Sequence, residues 1–506
     1  METQIAPNTL YVKKKNNVYI TVEAEPSIRN ELTDFFSFYV PGYRHMPAYK
    51  NKMWNGKINL YDSRTRELYV GLFAYLKEFA NAEGREYKLS LEHDSMYGYP
   101  EVNQTVDWSF LSDITITSKG QRIEPRDYQM QAVEHALTHK RAMLISPTAS
   151  GKSLIIYLAM RYYLLNHKKR VLIIVPTTSL VQQMYSDFDD YSQYDDSFDV
   201  GTCHRVYAGK EKIVDSERVI ISTWQSIYKL PASWFSQFGM VIGDEAHTFK
   251  AKSLTSILTK MYDCEYRYGT TGTLDGTQTH KLVLEGLFGP AYFVTTTKQL
   301  MDAGSLAQLK INVLLLKYSD DTCRIVSKHK YQEEIDHIVS HPKRNKFITN
   351  LALDQDGNTL VLFQYVEKHG KVLYDLIKEK AHSRRKIFFV SGSTDVDTRE
   401  QVRHISENEK NAIIVASLGT FSTGINIRNI HNIIFASPSK SQIRVLQSIG
   451  RGLRKSDDGR PTTLYDLADD FHWRSKKNFT LNHAAERIRI YTKEKFEYVI
   501  HEVPLE

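Results

Sequence analysis

Ala142-Met143-Leu144-Ile145-Ser146-Pro147-Thr148-Ala149-Ser150-Gly151-Lys152-Ser153-Leu154-Ile155-Ile156 is the stretch that decides the fold class. Ala142–Ile145 reads as a short buried strand, the next eight residues as a polar loop, and the apolar run from Leu154 as a buried helix. Strand, loop and helix in this order are the context a phosphate-binding loop requires. Backbone N–H groups from Thr148 to Ser153 and the helix N-terminus would point at an anion, and Lys152 would bring a point charge to the β and γ oxygens of ATP. The Ser153 hydroxyl suits Mg²⁺. Pro147, Thr148, Ala149, Ser150, Gly151, Lys152 and Ser153 are therefore candidate ATP-binding residues. Ser146 replaces the first glycine of the usual pattern and Ala149 stands where a second is common, so glycine alone does not set this loop's path.

Outward from this loop, short β-branched runs alternate with amphipathic stretches, which argues for a parallel sheet covered by helices on both faces. The expected strands are Ala142–Ile145, Val171–Val175, Val219–Ser222, Met240–Gly243 and Tyr266–Gly269, then Thr359–Phe363, Lys386–Val390, Ala412–Ala416, Asn432–Ala436 and Thr463–Leu467. The fold class expected is α/β, with two tandem parallel-sheet lobes behind a small N-terminal α+β domain. The domains expected are residues 1–112 for the α+β domain, 113–303 for lobe 1, 304–342 for an inter-lobe linker and 343–506 for lobe 2. The first block shows strand alternation at Val18–Val22, helical stretches from Ser27 and over Leu72–Asn81, and a hairpin signal at Asn55-Gly56.

The apolar run Met240–Gly243 leads straight into Asp244-Glu245-Ala246-His247. At the carboxyl end of a strand neighbouring the loop strand, Asp244 can reach the loop's metal and Glu245 can deprotonate a water attacking the γ-phosphate. In the second lobe Arg451 and Arg454 lie three residues apart on one helical face and suit an anion, although pairing with Asp457 or Asp458 would use them equally well.

Length and composition bound the rest. The 506 residues allow about three domains, and 42% apolar with 25% charged residues is ordinary for a folded chain. No apolar run reaches membrane-spanning length, and the expectation is a cytoplasmic protein. Three cysteines without close pairing speak against a disulfide scaffold or a zinc site. Net charge is +7, and residues 341–506 carry 27 basic against 20 acidic side chains, a surplus that fits a polyanion or a solvated basic face. The first block is nearly neutral. Tyr97, Tyr99 and Trp108 could stack on bases or belong to a core, and Arg474, Lys476, Lys477, Arg487 and Arg489 could grip phosphates or stay solvated.

Read in order, Arg126-Asp127-Tyr128-Gln129, the phosphate loop, Pro176–Leu180, Ser222–Gln225, Asp244–His247 and Thr271-Gly272-Thr273 resemble the first-lobe motifs of superfamily 2 helicases. Val361–Phe363, Gly392-Ser393-Thr394 with Arg399, Thr420–Asn426 and Gln447–Arg454 resemble the later motifs. The form Gln-Ser-Ile-Gly-Arg-Gly-Leu-Arg is more similar to duplex-DNA motors related to XPB and to restriction-enzyme translocases than to DEAD-box RNA helicases. Lys52–Lys57, Leu60-Tyr61-Asp62 and Gly71-Leu72 resemble the small DNA-recognition domain that precedes the motor in phage helicases.

The resemblance implies that the two tandem parallel-sheet lobes are RecA-like, and that the chain is an ATP- and Mg²⁺-dependent helicase or translocase that remodels branched DNA, including Holliday junctions and stalled forks, and unwinds RNA–DNA hybrids in R-loops. It implies Arg126 and Gln129 at the nucleotide, Gln129 reading adenine; Ser153 and Asp244 at the metal; Glu245 at the water; and Arg451 and Arg454 as fingers. Gly424 and Asn426 would link ATP state to the DNA backbone. His247, Thr271, Thr273 and Gln447 would couple the two, and Thr177, Ser222, Gly392 and Thr420 would contact nucleic acid. An RNA-restricted helicase, or a nucleic-acid-binding scaffold with a degenerate nucleotide site, is the alternative, because backbone contacts carry little information on nucleic-acid identity.

Overall fold

A computed structural model describes residues 6–40, 42–91, 106–112, 114–207, 217–248, 251–272, 274, 278–381, 385–392, 394, 408–420, 429–437, 449–450 and 458–505. The chain divides into two compact units, residues 1–146 with 151–294 and residues 147–150 with 295–506.

The first unit opens with a mixed sheet built from β1 (Thr9–Lys14), β2 (Tyr19–Glu23), β5 (Tyr61–Asp62), β6 (Glu67–Tyr69) and β7 (Lys88–Leu91), in the order β5-β6-β2-β1-β7. Only the β1–β7 pairing is parallel, and helices Pro26–Phe35 and Phe73–Ala80 cover the sheet's apolar face. The Asn55-Gly56 hairpin expected from sequence is not a two-residue turn. β3 (Ser37–Tyr39) and β4 (Lys57–Asn59) pair antiparallel across a long excursion, closed by Val40 N–H donating to Gly56 O at 2.9 Å. Gly56, at φ +82°, lies so close to the Tyr43 ring that a Cβ would fall 2.3 Å from it.

A short pair, β8 (Thr117–Ser118) with β9 (Gln121–Arg122), precedes the lobe 1 sheet. That sheet is wholly parallel and seven-stranded: β10 (Arg141–Ile145), β11 (Arg170–Val175), β12 (Cys203–Val206), β13 (Val219–Thr223), β14 (Phe238–Gly243), β15 (Tyr266–Thr271) and β16 (Ala291–Phe293), ordered β12-β13-β11-β14-β15-β10-β16. β10, β11, β13, β14 and β15 are the expected strands. β12 and β16 were not expected. The order also corrects one neighbour, because β15 lies between the loop strand β10 and β14.

The second unit holds another seven-stranded parallel sheet: β17 (Leu309–Lys317), β18 (Thr359–Phe363), β19 (Ile387–Val390), β20 (Ile413–Ser417), β21 (Asn432–Phe435), β22 (Thr462–Asp470) and β23 (Tyr498–Pro504). Its order is β19-β20-β18-β21-β22-β17-β23. The expected linker over 304–342 therefore needs correction. β17 pairs with β22 and β23 along its whole length, and helix Tyr331–Ser340 follows it, so the segment belongs to the second lobe. Among the described residues no helix is long and apolar enough to cross a membrane.

The N-terminal block and lobe 1 share one apolar cluster, in which Leu72, Phe73 and Leu76 join Met143, Leu284 and Leu287. Tyr75 donates its hydroxyl to Glu285 Oε2 at 2.6 Å, and Asn17 N–H donates to Tyr262 O at 3.0 Å. At Gly71 a Cβ would stand 2.0 Å from the Glu285 carbonyl oxygen, so only glycine permits this approach. Gly71→Ala should force the two backbones apart and destabilise the first unit by about 1–3 kcal/mol, the usual cost of overpacking. Thermal unfolding checks this, with limited proteolysis expected to nick the N-terminal block before lobe 1.

Candidate functional site

The loop after β10 runs as the spacing requires, but with substitutes for the missing glycines. Ala149 adopts φ +66° and Gly151 φ +78°, two left-handed residues that turn the chain into helix Lys152–Asn166. Ser150 donates its hydroxyl to Pro147 O at 2.7 Å, and Ser146 N–H donates to Thr271 O at 2.8 Å, which ties the loop's entrance to the end of β15. Pro147 and Thr148 are half-buried and Ser150 is buried. Over the far end lies buried Gln129, whose amide nitrogen would be 2.3 Å from a Cβ on Gly151. Gln129 Oε1 accepts from Arg126 N–H at 2.9 Å, and Arg126 itself donates to the Tyr128 hydroxyl at 2.9 Å.

Asp244 leaves the end of β14 at 7% exposure. Its Oδ1 accepts from the Thr270 hydroxyl at 2.6 Å and from Glu245 N–H at 2.9 Å. Burial raises its carboxyl above the usual range, the nearby Glu245 charge adds to this, and Lys152 and Thr270 oppose it. Glu245 sits at φ +49°, a left-handed conformation for a non-glycine residue, held by Thr248, which donates both its N–H and its hydroxyl to Glu245 O at 2.8 Å. Its Oε1 accepts from Lys152 Nζ at 2.9 Å. His247 Nδ1 lies 2.6 Å from the Thr271 hydroxyl and 3.5 Å from Glu245 Oε2.

The structure thus brings together Gln129, Gly151, Lys152, Ser153, Asp244, Glu245, His247 and Thr271 at the carboxyl ends of β10, β14 and β15. Ser153 and Asp244 offer hard oxygen donors. Among the described residues no group of three or more His, Cys, Asp or Glu side chains could hold a metal ion on its own. That combination suits a hard cation whose remaining ligands are phosphate oxygens and water.

Other expected contacts differ. Ser222 is fully buried and its hydroxyl donates to Thr223 O at 3.0 Å, so its side chain has no surface to offer a nucleic acid. Thr420 is likewise buried, its hydroxyl accepting from Ser417 Oγ at 2.6 Å. Thr177 caps helix Thr178–Ser192 by accepting from Leu180 N–H at 3.3 Å and stays half-exposed; Gly392 is exposed. Trp108 packs against Phe110 in the lobe 1 core. Arg487 is buried against Asp466 at 2.8 Å, and its helix packs on the sheet, which removes it from any phosphate grip. Tyr97, Tyr99, Thr273, Arg399, Gly424, Asn426, Gln447, Arg451 and Arg454 lie outside the described residues.

Two residues went unread in the sequence. Thr270 is the hydroxyl that orients Asp244, and its place just before Thr271-Gly272 was the available signal. Tyr191, half-buried and with its phenol pushed upward by desolvation, has its hydroxyl 2.8 Å from Ser153 Oγ. Nothing local in the sequence marks it, because Tyr191 reaches Ser153 from the end of another helix.

Comparison with known proteins fits this geometry. Residues 10–92 match the family described as DNA helicase UvsW, N-terminal; residues 122–276 match type III restriction enzyme, res subunit; and residues 342–456 match the helicase conserved C-terminal domain. The ATP-dependent DNA helicase uvsW of Enterobacteria phage T4 is 38% identical over 509 residues, spanning 96% of this chain and 98% of its own. The chain belongs to the UvsW helicase family. The crystal structure of T4 UvsW aligns over 98% of this chain and 100% of its own at 36% identity, with a TM-score of 0.51. More distant is the DNA 3'-5' translocase XPB2 of Sulfurisphaera tokodaii, 24% identical over 66% of this chain and 80% of its own. The type ISP restriction-modification enzyme LlaBIII shares the fold, with a TM-score of 0.54 at 16% identity, over 84% of this chain and 34% of its own. In this UvsW-family chain the phosphate loop holds an alanine in the left-handed region at position 149, at a conformational cost.

Ala149→Gly should be tolerated, since relief of the left-handed alanine roughly offsets the added freedom of the unfolded chain. Ala149→Val should lose about 1–2 kcal/mol, because a β-branched residue there is a steric outlier. Melting curves and ATP binding on the two variants check both signs.

Proposed function

We infer that this chain is an ATP-dependent DNA helicase or translocase that remodels branched nucleic acid, migrating Holliday junctions, processing stalled forks and unwinding R-loops in recombination, repair and replication. The observation that carries this reading is the single constellation of Lys152, Asp244, Glu245, His247 and Thr271 below the phosphate loop. Its family supports the choice of DNA.

The chemistry follows from the contacts. Lys152 holds Glu245 directly, and an ammonium cannot serve two anions at full strength, so phosphates arriving at the loop compete for it. Glu245 is then free to accept a proton from water, while Lys152 neutralises the phosphates. His247 touches both Glu245 and Thr271, the last residue of β15, so a change at the carboxylate is felt at the turn after that strand. Mg²⁺, when bound at Ser153 and Asp244, would neutralise charge developing on the phosphates. Thr270 would keep Asp244 aimed at it, and Tyr191 would fix the Ser153 hydroxyl. Arg451 and Arg454 are proposed as fingers that complete the charge balance, with Gln447, Thr273, Gly424 and Asn426 coupling it to nucleic acid.

Lys152→Ala should abolish ATP turnover without unfolding the protein, because its ammonium is a phosphate ligand and not part of a core. Glu245→Gln should still bind ATP and DNA yet hydrolyse about 10²–10⁴ times more slowly. Steady-state hydrolysis with and without a forked DNA tests both, and near-normal DNA-stimulated turnover in either variant would remove that residue from the mechanism. Matched RNA forks in the same assay separate this reading from an RNA-restricted helicase.

Tyr191→Phe and Thr270→Ala should each raise the Mg²⁺ concentration needed for half-maximal binding of a fluorescent ADP by about 10–100-fold, the range for residues that support metal ligands. Equal loss of nucleotide binding in EDTA would show instead that they act on the loop alone.

A further inference from the structure

Six aspartates fall between Asp187 and Asp199, inside a stretch from Val171 to His204 that contains no lysine or arginine. Asp195 is neutralised by buried Arg161, and Asp199 accepts from Gly201 N–H at 2.7 Å. Asp190 is placed differently. It stands in the last turn of helix Thr178–Ser192, where the helix dipole opposes an anion, and it precedes Tyr191, whose hydroxyl reaches Ser153.

The β8–β9 hairpin offsets that placement. Each of its strands has two residues, too few to hold together alone, and its turn puts Lys119 at φ +54° and Gly120 at φ +73°. A left-handed lysine persists only where its surroundings hold it. Three consecutive residues of the hairpin meet Asp190: the Thr117 hydroxyl donates to its main-chain oxygen, the Ser118 hydroxyl to Oδ2 at 3.2 Å, and the Lys119 N–H to Oδ1 at 2.7 Å. Thr117 is buried, so the clasp is anchored at its root.

Tyr191 is thereby fixed from two sides. The residue before it is held by the hairpin, and its ring leans on Tyr157 of the helix that follows the phosphate loop, at 5.5 Å between centroids. Its hydroxyl stands 2.8 Å from Ser153 Oγ. A serine hydroxyl has one proton and two lone pairs. With Tyr191 Oη accepting that proton, both lone pairs of Oγ are left for a cation, whereas a freely rotating hydroxyl would turn its proton toward the cation part of the time. Desolvation, then the Asp187 charge and last that of Asp190, push the Tyr191 phenol upward against the Ser153 hydrogen bond, so it remains a neutral phenol.

We propose that Asp190 is a positioning residue for the metal site: clasped by Thr117, Ser118 and Lys119, it holds Tyr191 where its hydroxyl takes the Ser153 proton and leaves the Ser153 lone pairs for Mg²⁺. This rests on reading Ser153 as a Mg²⁺ ligand and adds the hairpin that sets its hydroxyl from outside the nucleotide site.

The test uses the full chain and the binding of a fluorescent ADP titrated with Mg²⁺. Asp190→Ala should raise the Mg²⁺ concentration at half-maximal binding about tenfold, the lower end of the range for residues that support metal ligands, with ADP affinity in EDTA unchanged. Asp190→Asn keeps an acceptor for the Lys119 N–H and should stay close to wild type. Because Asp190 acts through Tyr191, Asp190→Ala/Tyr191→Phe should need no more Mg²⁺ than Tyr191→Phe alone. Ser118→Ala removes one donor and should shift the requirement in the same direction by less. An unchanged requirement in a folded Asp190→Ala, or in Ser118→Ala if that variant alone folds, would overturn the assignment, as would effects of Asp190→Ala and Tyr191→Phe that multiply in the double variant. Equal weakening of ADP binding in EDTA would overturn it too, since that is the mark of a loosened loop with no role at the cation. Ser153→Ala separates the two readings: a raised requirement there with none in Asp190→Ala sinks the clasp alone, and no rise in Ser153→Ala sinks both the clasp and the metal reading of the loop.

Discussion

Asp244 is a carboxylate taken almost wholly out of water, and the architecture around the nucleotide loop can be derived from what keeps it there. Desolvating a carboxylate costs several kcal/mol unless hydrogen bonds and opposite charge compensate. The compensation comes from two directions: Thr270 and the Glu245 amide on one oxygen, and the Lys152 charge nearby. Each comes from a different strand end, so β10, β14 and β15 must finish at the same level. This explains why β15 is inserted between the other two. The middle strand must also be thin. At Gly269 a Cβ would lie 2.4 Å from the Met143 sulfur and 2.9 Å from the Phe288 ring, so a larger residue would have to displace the side chains packed between β15 and its neighbours.

The same logic of buried charge runs along the seam between the N-terminal block and lobe 1. Arg141 and Arg267 are register partners on β10 and β15, and both are buried. Arg267 gives its guanidinium to the carbonyls of Leu258, Met261 and Leu287, while Arg141 reaches the Asn17 carbonyl in the N-terminal block. Burial first, and their mutual repulsion in Arg141's case, lowers them from the usual arginine range. Carbonyls satisfy such groups only while the chain segments that bear them stay in place. The N-terminal block therefore supplies an acceptor to a lobe 1 arginine and does not ride as an appendage on a linker.

Much of this was legible in the sequence, for identifiable reasons. Strands such as Val171–Val175 and Thr359–Phe363 are buried on both faces and read as unbroken apolar runs. β16 is three residues with one face open, and β17 alternates buried with partly exposed positions along Leu309–Lys317, so neither shows that signature. The β17 sequence looked like a mixed, polar connection because its outward face carries Lys310 and Asn312. Among site residues, those with local spacing rules were found: Lys152 from its loop, and Asp244 and Glu245 from their strand end. What failed was inference across elements. Sheet order, the burial of Ser222 and Thr420, and the reach of Tyr191 to Ser153 depend on tertiary placement that no local pattern encodes.

Charge summed over a domain proved the weakest guide in both directions. The basic side chains of residues 341–506 suggested a polyanion footprint, yet some of them are internal. Arg344 is buried with Asp469 at 2.7 Å and Arg487 with Asp466 at 2.8 Å, and these pairs fasten helices Pro342–Asp354 and Phe479–Lys493 to β22. Outside the core, Arg489 is engaged by Glu486 at 2.5 Å, and Lys476 by the Ser327 carbonyl. Each ion pair withdraws one cation and one anion, so the surplus of that third of the chain persists, but it rests on fewer outward cations than its composition counts. The N-terminal block errs the other way. Its acids lie on other segments, some of them tied to cations there, such as Glu67 to Lys15 and Glu31 to Arg85. The acid-free stretch around Arg44, Lys50 and Lys52 therefore keeps a local field that the total cancels on paper but not in space. Over a Debye length of about 8–10 Å, a phosphate backbone responds to the nearest few charges, and a block average spans more than that distance.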